Sequence, residues 1–111
     1  MKKPALLRKN EEAAIKSLRD ALLTRFKLVD LRVFGSKARG DWSTDSDIDV
    51  MIEVENYSTQ IEAEIDDLVF EINLAHDCLI STVIYGRQEL EEGPLGESPL
   101  YKAIKREGLR V

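Results

Sequence analysis

Apolar and polar residues recur along this chain with two different periods, and the switches between them mark its elements. Ile15, Leu18, Leu22 and Phe26 lie three or four positions apart, the spacing of one helix face. Asn10 stands ahead of them as the expected N-cap, with Glu11 and Glu12 in the first turn where the helix dipole favours negative charge, so a first helix is predicted to about Arg25. The period then shortens to two. Over 29–34 it places Val29, Leu31 and Val33 on one face of a strand. Gly35 and Ser36 turn the chain, a short helix is expected from about Lys37, and a turn-rich stretch reaches Ser46. A second strand is predicted over 46–54. Thr59 and Glu62 have the form of a capping box, and Ile61, Ile65, Leu68, Val69 and Ile72 follow on one face, which predicts a helix over 59–75. A largely apolar strand over 78–85 comes next, then a short helix over 87–92. Ser98 as N-cap with Pro99 behind it opens a last helix over 99–107, Gly108 stops it, and 109–111 can add a short edge strand.

That order in 111 residues implies one α/β (α+β) domain spanning 1–111, with a small sheet of three or four strands flanked by about four helices. About a dozen residues with only a short helix join the first two strands, which favours a mixed sheet over a purely parallel one. Charged residues at 33% and hydrophobic ones at 43% suit an ordinary globular chain. No apolar run approaches the roughly 20 residues that span a bilayer, and the first residues lack the apolar core of a signal peptide, so a cytoplasmic setting is expected. Cys78 has no second cysteine to pair with and reads as a small core hydrophobe. Charge is strongly segregated. Residues 1–40 carry 11 Lys/Arg against 4 acids, whereas 41–77 carry 12 acids and no Lys or Arg, which argues against broad nucleic-acid binding.

The acids that matter chemically are Asp47 and Asp49. Two apart on a strand, they face the same way and repel unless a cation lies between them. A hard divalent ion such as Mg²⁺ takes oxygen ligands of this kind and keeps room for phosphates. Other readings of the stretch fail or stay bland. An EF-hand loop beginning at Asp45 would have Val50 where glycine is needed and Asn56 where glutamate is needed, and Gly35-Ser36-Lys37 lacks the order of a Walker A loop. Asp41 and Asp45 suit turn chemistry alone, Trp42 either stacks on a base or packs over the turn, and His76 reads as a helix-end residue.

Gly35-Ser36, ten residues, then Asp47-Ile48-Asp49, with Arg39-Gly40 and Ser46 between them, resembles the signature of the DNA polymerase β-like nucleotidyltransferase superfamily. The likeness is strongest to its minimal (MNT-type) proteins and takes in most of the chain. It implies the polymerase β-like fold and transfer of a nucleoside monophosphate, most readily from ATP, to a protein or small acceptor. In that scheme Asp47 and Asp49 hold Mg²⁺, Gly35 and Ser36 hold the phosphates of the nucleoside triphosphate, and Arg39 either clamps the phosphates or structures the turn. Minimal proteins of this kind are often paired with a helical HEPN protein as its antitoxin, which implies such a partner. One departure stands out: no carboxylate lies on the third strand, where active members usually carry one. Ser81 or Thr82 occupies that region, and Asp77, just before the strand, either reaches the metal or only caps the strand start. An inactive relative that only binds a partner or a nucleotide is the competing expectation.

Overall fold

The computed structural model describes residues 7–40 and 47–111. Its elements in chain order are α1 (Lys9–Arg25), β1 (Leu28–Phe34), α2 (Ser36–Arg39), β2 (Ile48–Val54), α3 (Thr59–His76), β3 (Ile80–Gly86), α4 (Arg87–Glu92), a 3-10 turn (Pro94–Glu97), α5 (Pro99–Glu107) and β4 (Leu109–Arg110). The strands form one mixed sheet in the order β3-β2-β1-β4. β2 is central, antiparallel to β1 and parallel to β3, and β1 is antiparallel to β4. The expected small mixed sheet with helices around it is therefore present.

Alternation along β2 divides its residues between two cores. Ile48, Val50, Ile52 and Val54 join Leu31, Val33 and Ile80 beneath α1 and α3, which contribute Leu18 and Leu22 on one side and Ile65, Val69 and Ile72 on the other. Met51 points the opposite way and packs with Tyr85, Leu90 and Ile104 beneath α4 and α5. The rings of Tyr85 and Tyr101 meet edge to face there, 5.5 Å apart at 78°. Leu18 and Leu22 are fully buried, and each adds about 1.5–3 kcal/mol by leaving water.

Several boundaries differ from the sequence expectation, each for a local reason. Asn10 is not the N-cap: the helix starts at Lys9 after Arg8, whose backbone N–H donates to Glu11 Oε1 at 2.9 Å. Asn10 instead donates from Nδ2 to the carbonyls of His76 and Asp77, tying α1 to the end of α3. Ser58 rather than Thr59 caps α3, accepting from the Ile61 N–H at 3.1 Å. Val29 leaves the core face and is 41% exposed, because the pairing of β1 with β2 is interrupted between Leu28 and Asp30. Asp47 lies just ahead of β2, and Cys78 and Leu79 precede β3, which begins at Ile80. Ser46, Asp41, Trp42 and Asp45 lie outside the described residues. No described helix is long and apolar enough to cross a membrane.

Candidate functional site

β1 ends at Phe34 and the chain turns at Gly35, with φ 71° and ψ −151°, a combination that is essentially glycine's alone. The turn is followed at once by α2, in which the N–H groups of Ala38 and Arg39 both donate to the Gly35 carbonyl at 3.1 and 3.0 Å. Gly40 closes this single turn in the left-handed region. α2 is then held by a group with no local sequence signal. Lys37, the residue after the Gly-Ser corner, is completely buried, and its Nζ lies 3.4 Å from Glu11 Oε1 on α1. A buried charge of this kind is tolerated only with such a partner, so the ion pair fixes the corner to the helix layer. Nothing in the spacing of residues 11 and 37 announces it.

Register brings the aspartates to this corner. Phe34 pairs with Asp49 across β1 and β2, so the residue before the turn and the carboxylate lie side by side. The contact with Gly35 is closer still: a Cβ placed on Gly35 would lie 2.5 Å from Asp49 Oδ2. Glycine here serves both its backbone angles and the carboxylate pressed against it. Asp49 is half-buried, and its pKa is raised, first by burial and then by the neighbouring charge of Asp47, while Arg39 pulls it down. Asp47 and Arg39 therefore both act electrostatically on Asp49. Arg39 is half-exposed and reaches Glu107 Oε2 at the end of α5 at 3.9 Å.

On the other side of Asp49, β3 supplies Ser81, its partner in the parallel register. The Ser81 hydroxyl donates to Asp47 Oδ2 at 3.0 Å. A hydroxyl thus stands where a further carboxylate would face the pair, and it orients Asp47 rather than adding charge. Sequence reading marks this position only as a missing acid. Asp77 occupies a left-handed C-cap of α3, before β3 begins, so the strand alternation does not extend to it. Among the described residues no three His, Cys, Asp or Glu side chains gather as a metal-holding group, so Asp77 does not join Asp47 and Asp49. His76 ends α3 with Nε2 3.4 Å from Ser17 Oγ, and burial pushes the Cys78 thiol above its usual pKa, away from the thiolate a nucleophile requires.

Two neighbouring carboxylates, a glycine corner touching one of them, and an arginine close enough to pull on the same group offer hard-oxygen donors beside an open backbone. That chemistry fits a divalent cation with a phosphate. Two curated proteins of Methanocaldococcus jannaschii, both provisionally named protein adenylyltransferases, are similar to this chain. One is 42% identical over 60 residues, covering 53% of this chain and 61% of the relative. The other is 44% identical over 45 residues, covering 39% and 45%. The matched stretch thus spans less than two thirds of either relative. Two solved structures share the fold. A mutant of the toxin–antitoxin pair MntA–HpeT superposes over 94% of this chain and 72% of the other, with a TM-score of 0.57 and 21% identity. A structure provisionally described as a minimal nucleotidyltransferase does so over 89% and 94%, with a TM-score of 0.56 and 24% identity. The model of the nucleotidyltransferase domain family matches residues 15–108, a span that holds the glycine corner, both aspartates and strands β1 to β3, and the chain belongs to that family.

Proposed function

We propose that this chain is an Mg²⁺-dependent nucleotidyltransferase that moves the monophosphate of a nucleoside triphosphate, ATP foremost, onto a hydroxyl of a protein or small acceptor. The observation that carries this reading is the close approach of Asp49 Oδ2 to Gly35, which supports a metal-holding role for the carboxylate beside a phosphate-holding role for the corner. In the reaction the acceptor oxygen bonds to the α-phosphorus, the bond between that phosphorus and the bridging oxygen breaks, pyrophosphate leaves, and the hydroxyl gives up its proton to water. Asp47 and Asp49 would hold the metal, which when bound neutralises phosphate charge and acidifies the attacking hydroxyl. Gly35 and Ser36 bring backbone close to the β- and γ-phosphates, because the glycine has no side chain to keep them away. Arg39, whose charge acts on Asp49, clamps phosphate oxygens, giving up its long contact with Glu107. Ser81 fixes one oxygen of Asp47 and leaves the other for the metal. Catalysis on these terms is positioning and charge neutralisation.

The provisional names of the M. jannaschii relatives favour AMP transfer to a protein. The toxin–antitoxin pair that shares the fold favours a role as the antitoxin beside a helical HEPN-type partner, in the cytoplasm where both proteins would be made. A second reading, a folded but inactive module that only binds such a partner, is favoured by one observation: Ser81 stands beside Asp47 where a third acid would strengthen metal binding.

Incubating the chain with Mg²⁺ and ATP labelled at the α-phosphate, alone and with the product of the neighbouring gene, separates the two. Label on the partner that disappears in Asp47→Ala and in Asp49→Ala upholds transfer. Partner binding that survives both substitutions, with no label anywhere, overturns it in favour of the module.

A further inference from the structure

We propose that the open edge of β3 is a docking site for an extended, Lys- or Arg-bearing segment of a partner protein, which adds to the sheet as a further strand. β3 (Ile80–Gly86) stands at one end of the order β3-β2-β1-β4 and pairs only with β2. Its ladder runs unbroken from Ile80 to Gly86, and the Ile48 N–H donates to the Leu79 carbonyl at 2.9 Å. Alternation then turns the N–H and C=O groups of Ser81, Val83 and Tyr85 toward β2 and those of Ile80, Thr82, Ile84 and Gly86 outward. Both ends of that outward row are occupied. Asn73 of α3 imitates a neighbouring strand at Ile80, accepting its N–H at 2.8 Å and donating to its carbonyl at 3.3 Å. Glu89 accepts the Gly86 N–H at 3.0 Å. Between them the outward N–H and C=O groups of Thr82 and Ile84 have no hydrogen-bond partner among the described residues.

Such a row is a template for another strand, and proteins usually blunt it. β4, at the opposite edge, is blunted: it is two residues long and carries Arg110. β3 is seven residues long, without a charge, a proline or a bulge. The flank decides the sign of the guest. Glu62, Asp66, Phe70 and Asn73 follow at three- and four-residue spacing along one side of α3, and the bonds of Asn73 to Ile80 turn that side toward the edge. Partial desolvation, then the charges of Glu62 and Asp67, raises the pKa of Asp66, so negative charge is crowded there. No Lys or Arg occurs in 41–77 to offset it. Phe70, 63% exposed, adds apolar surface beside these acids. A second copy of this chain would bring like charges together across the new strand pair, whereas a basic segment meets the acids with opposite charge and covers Phe70 with its aliphatic stems. Ser81, which supports Asp47, adjoins Thr82, so the guest runs one strand spacing, about 4.8 Å, from that residue. The docking does not depend on the transfer chemistry.

The test follows amide hydrogen exchange of the ¹⁵N-labelled full chain with the peptide acetyl-Lys-Thr-Val-Thr-Lys-Thr-amide, whose alternate Lys and Val side chains share one face. The Thr82 and Ile84 amides exchange freely in the chain alone and slow about tenfold or more at saturating peptide, while the Gly86 amide, already bonded, changes little. The same peptide with every second amide N-methylated is made in both phases. One phase binds about tenfold more weakly, having lost the N–H groups that face β3, and the other binds as the parent does. The acidic peptide acetyl-Glu-Thr-Val-Thr-Glu-Thr-amide does not bind. Thr82→Pro removes an outward N–H without breaking a ladder bond and abolishes the protection of Ile84. Asp66→Lys weakens the basic peptide about three- to tenfold, and it carries the test even where Thr82→Pro folds poorly. Asp49→Asn leaves the docking unchanged, which separates it from transfer. The proposal is overturned if the basic peptide protects neither amide, if the acidic peptide binds as well, if both N-methylated phases bind alike, or if Asp66→Lys changes nothing. Protection of both amides in the chain alone, rising with its concentration, overturns it in favour of a second copy at this edge.

Discussion

Replacing Gly35 by alanine tests the link between backbone and carboxylate most directly. Two penalties arise together. The first is conformational: φ 71° with ψ −151° is a region that side chains other than glycine occupy at a cost of about 1–3 kcal/mol. In a chain of this size each kcal/mol lowers Tm by roughly 4 °C, so the expected fall is about 4–12 °C. The second is a collision. The new methyl would lie 2.5 Å from Asp49 Oδ2, where ordinary contact begins near 3.4 Å, so the carboxylate retreats by about 0.9 Å. A misplacement of that order costs about 100-fold in rate at a site that works by positioning. Thermal unfolding and the labelled-ATP assay read the two penalties separately. Gly40→Ala is the matching control, because Gly40 also has positive φ, at 80°, but no atom of the described residues lies within 4 Å of its missing Cβ. That variant loses about 1–2 kcal/mol and keeps its transfer rate. If Gly35→Ala transfers label as fast as the parent, or if Gly40→Ala loses activity as severely, then Gly35 is not shaped around Asp49 and the reasoning fails.

The remaining predictions concern the supports of the site and a carboxylate farther along β2. Lys37→Ala leaves Glu11 buried without its partner and lowers stability by about 3–5 kcal/mol in denaturant titration, whereas Lys37→Met combined with Glu11→Leu restores most of that loss; additive losses in the double variant would refute the buried pair. Ser81→Ala removes one hydrogen bond to Asp47, worth about 0.5–1.5 kcal/mol, and lowers the transfer rate about two- to tenfold with the fold intact; an unchanged rate would show that Asp47 needs no such support. Glu53→Gln changes stability with pH. Burial first, then Asp30, raises the folded-state pKa of Glu53 above its ordinary value, so its ionisation opposes folding, and that penalty is absent below about pH 4.5 and grows as pH rises through the raised pKa. The variant therefore melts higher than the parent at pH 7 and equally at pH 4, and a lower Tm at pH 7 would refute the sign.

Sequence reading reached most of this fold because its two periods are clean. The stripe of Ile65, Leu68, Val69 and Ile72 and the alternation of Ile48 to Val54 each admit one element, and both are present. What it missed depends on contacts between segments distant in the chain. Asn10 looks like a cap by its residue type, yet its side chain is drawn to the end of α3, a neighbour that only the tertiary fold supplies. Val29 belongs to the alternating set by count, but the irregular pairing after Leu28 turns it out to solvent. At the site, Gly35, Asp47 and Asp49 are legible from spacing and chemistry. Lys37 and Ser81 are not, since the first depends on Glu11 one helix earlier and the second on the register of β3 against β2. Glu53 is legible only as a charge late in an apolar strand, and the neighbours that act on it, Asp30, Lys105 and Arg87, come together only in the fold.

The division of labour along β2 constrains how such a protein changes over time. Even-numbered residues from Ile48 to Val54 pack under one helix layer, while Asp49 and Glu53 project from the other face. A slip of one residue would therefore drive both carboxylates into the oily layer and expel four branched side chains at once. Chemistry and architecture are geared together on a single rail. Descendants that abandon the reaction do so by exchanging individual acids while the strand keeps its place, so silenced copies should remain well-folded proteins, available for new binding roles.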